Sequence, residues 1–209
     1  MKATQVLPPH YRLSGKFDLK NTRQIIIMNL AGLVLLILSI WFFGWLADSL
    51  RGDSASSFSF EISSIPTALI AIGKLLLTIV FVLMAHEGIH ALFFWLFSKQ
   101  KPVVGFKGAY AYAAMPGWYF SRNQFLLIGI SPLILITFFG ILALAILPIS
   151  WLNLVLVALI INTSGAVGDL FVVIWLLTKP TETFAHDKID SIEFYVPAEL
   201  EINRGDPVN

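Results

Sequence analysis

The chain has 209 residues and a formal net charge of +1, and 57% of its residues are hydrophobic while only 13% are charged. Its mean hydropathy of +0.79 lies outside the range of ordinary soluble domains, so the composition predicts a polytopic membrane protein embedded in the lipid bilayer. The absence of cysteine excludes disulfides, thiolate catalysis and cysteine-built metal sites, and the lack of a long basic run argues against a nucleic-acid partner.

Four apolar segments reach the length of about 20 residues that a helix needs to span a bilayer. They predict an all-α polytopic membrane protein with four transmembrane helices. Because these segments take up most of the chain, we expect a single membrane domain, 1–209, with a charged cytoplasmic tail at 179–209. The expected spans lie at about 25–47, 67–97, 124–149 and 151–177.

The distribution of lysine and arginine predicts the orientation of these spans. Most of the basic residues lie before residue 25 or in the loop between the second and third spans, whereas the loop after the first span offers only Arg51. Cytoplasmic loops of membrane proteins carry the excess of basic residues. We therefore expect a multi-pass protein of the cell membrane with both termini in the cytoplasm.

The loop between the second and third spans predicts a β-hairpin. Residues 101–122 alternate small and aromatic side chains and then turn at a Met-Pro-Gly sequence, which favours a hairpin at about 103–120 lying at, or dipping into, the membrane. The alternative is an irregular interfacial loop anchored by the aromatic residues 118–120. In the C-terminal tail, residues 192–196 have the pattern of a short strand.

The second span carries a polar motif, HEGIH, at residues 86–90. On a helix, His86 and His90 lie one turn apart on one face, with Glu87 beside them. Two neutral imidazoles in this arrangement bind zinc, while the adjacent carboxylate takes a proton from an activated water. The alternative is that these side chains bond to neighbouring helices. A carboxylate near the bilayer centre costs about 2.5–3.5 kcal/mol, which favours a functional site.

A third ligand should come from another span at the same depth. Asp169 is the acidic residue within the fourth span. With a helical rise of about 1.5 Å per residue, Asp169 lies about 14 Å and His90 about 12 Å from the cytoplasmic ends of their spans. The alternative is an ion pair with Lys74, which lies near the opposite end of its span and can reach outward. This donor set suits zinc and also several other divalent ions.

Two further polar features lie in the third and fourth spans. Asn162 precedes Asp169 by two helical turns, so its amide could donate to a carbonyl oxygen at the metal; the alternative is that it bridges helices. Ser131-Pro132 frees backbone groups of the third span and predicts a kink. The histidines at 10 and 186 lie in polar terminal segments and are expected to be solvated.

With HEGIH on one span, Ser131-Pro132 on the next and Asn162 to Asp169 on the last, the chain resembles the site-2 protease class of intramembrane zinc metalloproteases. It is more closely similar to a bacterial family, a domain of unknown function, described as zincin-type membrane metallopeptidases. The resemblance covers about 70–178, the metallopeptidase core. The chain departs from the site-2 pattern in lacking a proline between Asn162 and Asp169 and in having Leu170 after the aspartate.

The resemblance implies roles for five polar residues of the core. It implies Zn2+ as the cofactor, a general base, and a residue that binds substrate or stabilises the oxyanion. The hairpin matches in position the β element of site-2 proteases, where an edge strand holds an unwound substrate. The implied metal ligands are His86, His90 and Asp169, the catalytic base is Glu87, and the substrate- or oxyanion-binding residue is Asn162.

These observations predict an intramembrane zinc metalloendopeptidase that hydrolyses peptide bonds of a membrane protein or peptide substrate. The alternative is a non-catalytic metal-binding membrane scaffold, that is, a pseudo-peptidase, or a metal carrier. A carrier would need ligands in both halves of the membrane, whereas the sequence shows one cluster. A pseudo-peptidase would be free to lose its base, yet Glu87 is present.

Overall fold

The computed structural model describes residues 2–18, 20–52, 62–107 and 110–199. Of the predicted tail, residues 200–209 lie outside the described residues. The chain is mostly helical and carries several short strands. The elements follow in the order β1 (Tyr11–Asp18), α1 (Thr22–Arg51), α2 (Ile65–Ser98), β2 (Val103–Lys107), β3 (Tyr110–Ala114), β4 (Tyr119–Ser121), α3 (Arg122–Ile146), α4 (Leu152–Gly165), α5 (Val167–Leu177), β5 (Phe184–Asp187) and β6 (Ser191–Pro197).

Within the described ranges, three helices are long and apolar enough to cross a membrane, namely α1, α2 and α3. They correspond to the first three predicted spans and are compatible with a membrane protein. Helix α3 is continuous through Pro132, where the sequence predicted a kink. The kink itself stays a prediction.

The predicted fourth span, 151–177, is not one straight helix. A 3-10 turn at Ile149–Trp151 leads into α4, and the chain bends by 45° between α4 and α5. The break falls at Ala166, whose backbone N–H still bonds to the Asn162 carbonyl at 3.0 Å. The bent pair makes a fourth span only if α4 and α5 are counted together, so the four-span topology stays a prediction.

Polar side chains define where the helices begin. The Asn21 side chain accepts hydrogen bonds from the backbone N–H groups of Arg23 and Gln24 at the start of α1. At the start of α3, the Gln124 side chain accepts from both the backbone N–H and the hydroxyl of Ser121. These residues satisfy N–H groups that have no partner within their own helix.

The sequence predicted transmembrane helices with one β-hairpin and a short strand in the tail, whereas the structure has two small sheets. Strands β1, β6, β5 and β4 form one antiparallel sheet in that spatial order. Strand β6 contains the strand predicted at 192–196, whereas β1 was not predicted. Polar terminal segments of this kind give a weak local signal, because a strand depends on its neighbours for its hydrogen bonds.

Strands β2 and β3 form a second, two-stranded sheet. They pair antiparallel, from Val103 opposite Ala114 to Lys107 opposite Tyr110. The pairing lies where the hairpin was predicted, between α2 and α3. The joining residues, 108 and 109, lie outside the described residues, so the complete hairpin and its location at the membrane stay predictions.

The chain divides into two compact units, and the first contains all six strands of the described residues. It comprises Met1–Ile27, Glu87–Ser131 and Asp169–Asn209. Its core brings residues of α2, α3 and α5 together with residues of β4, β5 and β6. These core residues are Phe94, Met115, Phe120, Phe125, Ile128, Val172, Leu176, Ala185 and Phe194.

The second unit is helical and comprises Met28–His86 and Pro132–Gly168. Its core consists of Phe43, Ala47, Leu144, Leu152, Leu156, Leu159 and Ile160. The Arg51 guanidinium at the end of α1 donates to the carbonyl oxygens of Leu144 and Leu147. The boundary between the units falls within four helices, α1, α2, α3 and α5. The prediction of a single membrane domain stays untested.

Gly140 allows α3 and α4 to approach closely in the second unit, so we expect Gly140→Ala to destabilise the protein. A Cβ atom at this position would lie 2.4 Å from Cδ2 of the fully buried Leu159. Overpacking of a core costs about 1–3 kcal/mol. Thermal unfolding in detergent measures the effect. Gly73→Ala is the matched control, because nothing lies within 4 Å of its Cβ position; equal melting temperatures for the two variants would contradict the prediction.

Candidate metal centre

The two histidines of the HEGIH motif lie on one uninterrupted helix, α2. Their spacing of four residues places both imidazoles on the same face, one turn apart. His90 is buried, with 8% of its surface exposed, while His86 and Glu87 are partly buried. The helix thus presents two imidazoles and a carboxylate at neighbouring positions.

Each imidazole is oriented by an acceptor at its Nδ1 atom. His86 Nδ1 lies 3.1 Å from Asn162 Oδ1, and His90 Nδ1 lies 2.9 Å from the backbone carbonyl oxygen of Ile128. Both partners are oxygen atoms that can only accept, so both rings carry their proton on Nδ1. When such a ring is neutral, as a metal ligand must be, its lone pair is on Nε2, the arrangement found in metal-ligating histidines.

Asp169 supplies a carboxylate beside the two imidazoles. Its Oδ1 lies 3.4 Å from His90 Nε2. The ligand atoms of His86, His90 and Asp169 all lie within 4.8 Å of one another, close enough to share a single ion. Two imidazole nitrogens and one carboxylate oxygen are the donor set of catalytic zinc sites that keep a position for water. The three predicted ligands thus fit a zinc ion.

The position of Asp169 follows from the break in the fourth predicted span. Asp169 lies in the first turn of α5, where the partial positive charge of a helix N-terminus favours a carboxylate. Gly129 allows α5 to approach α3, because a Cβ there would lie 3.0 Å from a methyl group of Val173. At the other end of α5, the Arg122 guanidinium donates to the carbonyl oxygens of Leu176 and Leu177.

Asn162 is fully buried, with 1% of its surface exposed. Its side-chain oxygen accepts from His86, while its Nδ2 group has no hydrogen-bond partner among the described residues. A buried N–H group without a partner is costly. The amide therefore has one group that orients His86 and another that is available to a bound molecule.

The sequence did not predict Asp187, a buried carboxylate on β5. Burial raises the pKa of Asp187 to about 6. Two neighbours oppose this increase: the Ile189 N–H, which donates to Asp187 Oδ1 at 2.8 Å, and His90. Glu87 and Asp169 add to the increase in the pKa of Asp187. A strand of the C-terminal tail thus adds a further acidic group to the electrostatic environment of the predicted ligands.

His186, expected to be solvated, is buried, so that expectation is wrong. Its Nε2 accepts a hydrogen bond of 3.1 Å from the backbone N–H of Gly117, and its ring lies 4.6 Å from the ring of Tyr119. Burial lowers the pKa of His186, and the charge of Lys188 lowers it further. No local pattern in the polar tail indicates this burial, because it results from pairing between β4 and β5.

We expect Asn162→Leu to weaken zinc binding by about 10–100-fold, the usual effect of removing a group that orients a metal ligand. Leucine removes the oxygen that accepts from His86 while keeping a similar volume. Competition with a chromophoric chelator measures the affinity. Thr163→Val is the control, since the Thr163 hydroxyl has no hydrogen-bond partner within the described residues; equal affinities for both variants would contradict the prediction.

We expect Asp187→Asn to stabilise the zinc-free protein at neutral pH. Because the pKa of Asp187 is raised from 3.8 to about 6, the cost of ionising it is absent below the ordinary value and complete above the raised one. Stability therefore falls as the pH rises through this window, whereas asparagine carries no charge and still accepts from Ile189.

Thermal unfolding with a chelator present, at about pH 4 and about pH 7.5, checks this expectation. The gain should reach up to about 3 kcal/mol at the higher pH, at 1.36 kcal/mol per pKa unit, and disappear at the lower one. Asp48→Asn, at an exposed position of α1, should change little at either pH. A gain that is the same at both pH values would exclude ionisation as its cause.

Comparison with known proteins supports a peptidase family. A family model described as "Putative zincin peptidase" matches residues 79–184, which is 106 of the 209 residues. No curated protein and no solved structure gives a significant match. The matched segment includes the HEGIH motif, Asn162 and Asp169. Since it covers more than half of the chain, the protein belongs to this zincin peptidase family.

Proposed function

We propose that the protein is an intramembrane zinc metallopeptidase that hydrolyses peptide bonds of membrane-associated proteins. The observation that carries the proposal is the placement of the ligand atoms of His86, His90 and Asp169 within 4.8 Å of one another. Glu87 directly follows the first of these ligands on the same helix. Membership of the zincin peptidase family supports this assignment.

The residues of the centre have complementary roles in the proposed reaction. A bound zinc ion supplies a water that is acidic enough to act as a nucleophile near neutral pH. Glu87 accepts the proton of the attacking water and later delivers it to the departing amine. The Asp169 carboxylate and the two Nε2 atoms hold the ion, and the Nδ1 bonds keep those atoms in place.

We propose that the side-chain amide of Asn162 donates a hydrogen bond to the substrate carbonyl. The Nδ2 group has no partner among the described residues, and an N–H donor of this kind stabilises negative charge that develops on a carbonyl oxygen. Because Oδ1 of the same amide accepts from His86, substrate contact and ligand orientation are compatible. The two alternatives for Asn162, oxyanion binding and helix bridging, are therefore not exclusive.

The two-stranded sheet β2–β3 is our candidate for binding the substrate backbone. A peptide bond in a helix has its carbonyl in a hydrogen bond, so the substrate must unwind before attack, and an edge strand can pair with the released backbone. Four of the five residues of β2 are exposed, among them Val104 and Phe106. We propose the cell membrane as the location, and the distribution of basic residues supports cytoplasmic termini. The proposal of a bacterial origin rests on the resemblance to a bacterial family.

The non-catalytic alternatives gain no specific support. Within the described residues, His86, His90 and Asp169 form the one group of three or more potential ligands whose atoms lie close enough to share an ion. A metal carrier would use further sites along its path. A pseudo-peptidase has no use for a carboxylate at position 87.

We expect Glu87→Gln to retain zinc but to lose cleavage of a membrane-anchored test protein in proteoliposomes. Glutamine preserves the size of the side chain and cannot accept the proton, and loss of a general base lowers the rate by about 10²–10⁴-fold. Zinc content is measured by atomic absorption and cleavage by gel electrophoresis. Glu182→Gln, at an exposed position, is the control. Wild-type activity in Glu87→Gln would end the peptidase proposal.

A further inference from the structure

We propose that Pro132 is a positioning residue of the metal centre. It leaves a backbone carbonyl of α3 free to orient His90. The proposal rests on the proposed zinc site. It assigns a function to the proline of α3 that neither the HEGIH motif nor the three ligands require. The effect is exerted through the Ile128 carbonyl, since Pro132 itself donates nothing.

The argument begins with the hydrogen-bond pattern of an α-helix. The carbonyl of residue i accepts from the N–H of residue i+4, so the regular partner of the Ile128 carbonyl would be the N–H of residue 132. Proline has no backbone N–H. Helix α3 nevertheless runs from Arg122 to Ile146 with Pro132 inside it, and the carbonyl of Ile128 is left without its regular partner.

The freed carbonyl accepts hydrogen bonds from two side chains near the metal centre instead. The His90 Nδ1–H group donates to the Ile128 oxygen at 2.9 Å, and the Ser131 hydroxyl donates to the same oxygen at 3.1 Å. His90 and Ser131 are both buried, and the side chains of Ile128 and Pro132 are fully buried. Water is therefore a poor substitute for these bonds, and the carbonyl is the acceptor that holds His90.

This bond determines which nitrogen of His90 faces the ligands. With the proton held on Nδ1, the lone pair lies on Nε2, the atom that is 3.4 Å from Asp169 Oδ1. An N–H at position 132 would compete for the Ile128 oxygen. The ring of His90 would then be held less firmly in the orientation that suits a metal.

The test compares Pro132→Ala with a variant that carries lactic acid, the α-hydroxy acid analogue of alanine, at position 132, so that a backbone ester replaces the amide. Alanine restores the N–H group, whereas the ester has none. Zinc affinity of the full chain in detergent is measured by chelator competition. We expect Pro132→Ala to bind zinc about three- to tenfold more weakly, part of the effect of removing such a partner, and the ester variant to bind as the wild type does.

Pro66→Ala is the matched control, because Pro66 lies in the first turn of α2, where an N–H has no helical acceptor. Its zinc affinity should not change. The stability of the zinc-free protein supplies a second, opposite readout: alanine is a better helix former than proline, so Pro132→Ala should melt at the same or a higher temperature. Weaker zinc binding together with lower stability in both residue-132 variants would show a packing defect and overturn the proposal.

Nitrogen NMR of the histidine side chains in the zinc-free protein tests the proposal without the proposed function. In the wild type and the ester variant, His90 should carry its proton on Nδ1, and in Pro132→Ala this tautomer should become less populated. Equal tautomer populations in all three proteins would overturn the role of Pro132. Absence of zinc binding by the wild type would instead overturn the proposed function, while the NMR result still decides the present proposal.

Discussion

The orientation of two imidazoles by buried oxygen acceptors is the constraint on which the candidate centre depends. A histidine in an apolar helix can rotate and can carry its proton on either nitrogen, and only one combination presents Nε2 to a metal. In this chain the Asn162 side chain selects that combination for His86, and the Ile128 carbonyl selects it for His90. The ligand set thus depends on groups that do not themselves belong to it.

The backbone of the surrounding helices supplies the polar partners that apolar side chains cannot. The break at Ala166 begins a new helix, α5, and places Asp169 in its first turn, where a carboxylate is favoured. The proline of α3 leaves a carbonyl without its regular partner, and that carbonyl accepts from His90. The bend before α5 and the proline of α3 therefore coincide with the polar groups of the candidate centre. In a membrane helix, a freed backbone group needs another partner of this kind.

Much of the candidate site was predictable from local spacing, because a helix converts intervals along the chain into faces and depths. The HEGIH motif indicated two ligands and a base on one face, and the isolated acid at 169 indicated the third ligand. The structure brings these three ligands together. The acceptors at Asn162 and Ile128 were harder to assign, since a backbone carbonyl has no sequence signal and an asparagine serves equally well in packing.

The tail of the chain shows the limit of local patterns. Residues 192–196 were recognisable as a strand, whereas β1, the burial of His186 and the placement of Asp187 were not. Strand β1 pairs with β6, His186 pairs with Tyr119 of β4, and Asp187 pairs with Ile192 of β6. The residues of a strand do not by themselves identify the strand with which it pairs.

The sequence by itself determined the apolar helices, the identity of the candidate ligands and the position of the candidate base, because hydrophobicity and helical spacing are properties of neighbouring residues. Tertiary structure decided which tautomer each histidine adopts, where the fourth predicted span bends and which carboxylates of the tail are buried. These features depend on hydrogen bonds and burial between residues distant in the chain, such as the 38 positions that separate His90 from Ile128.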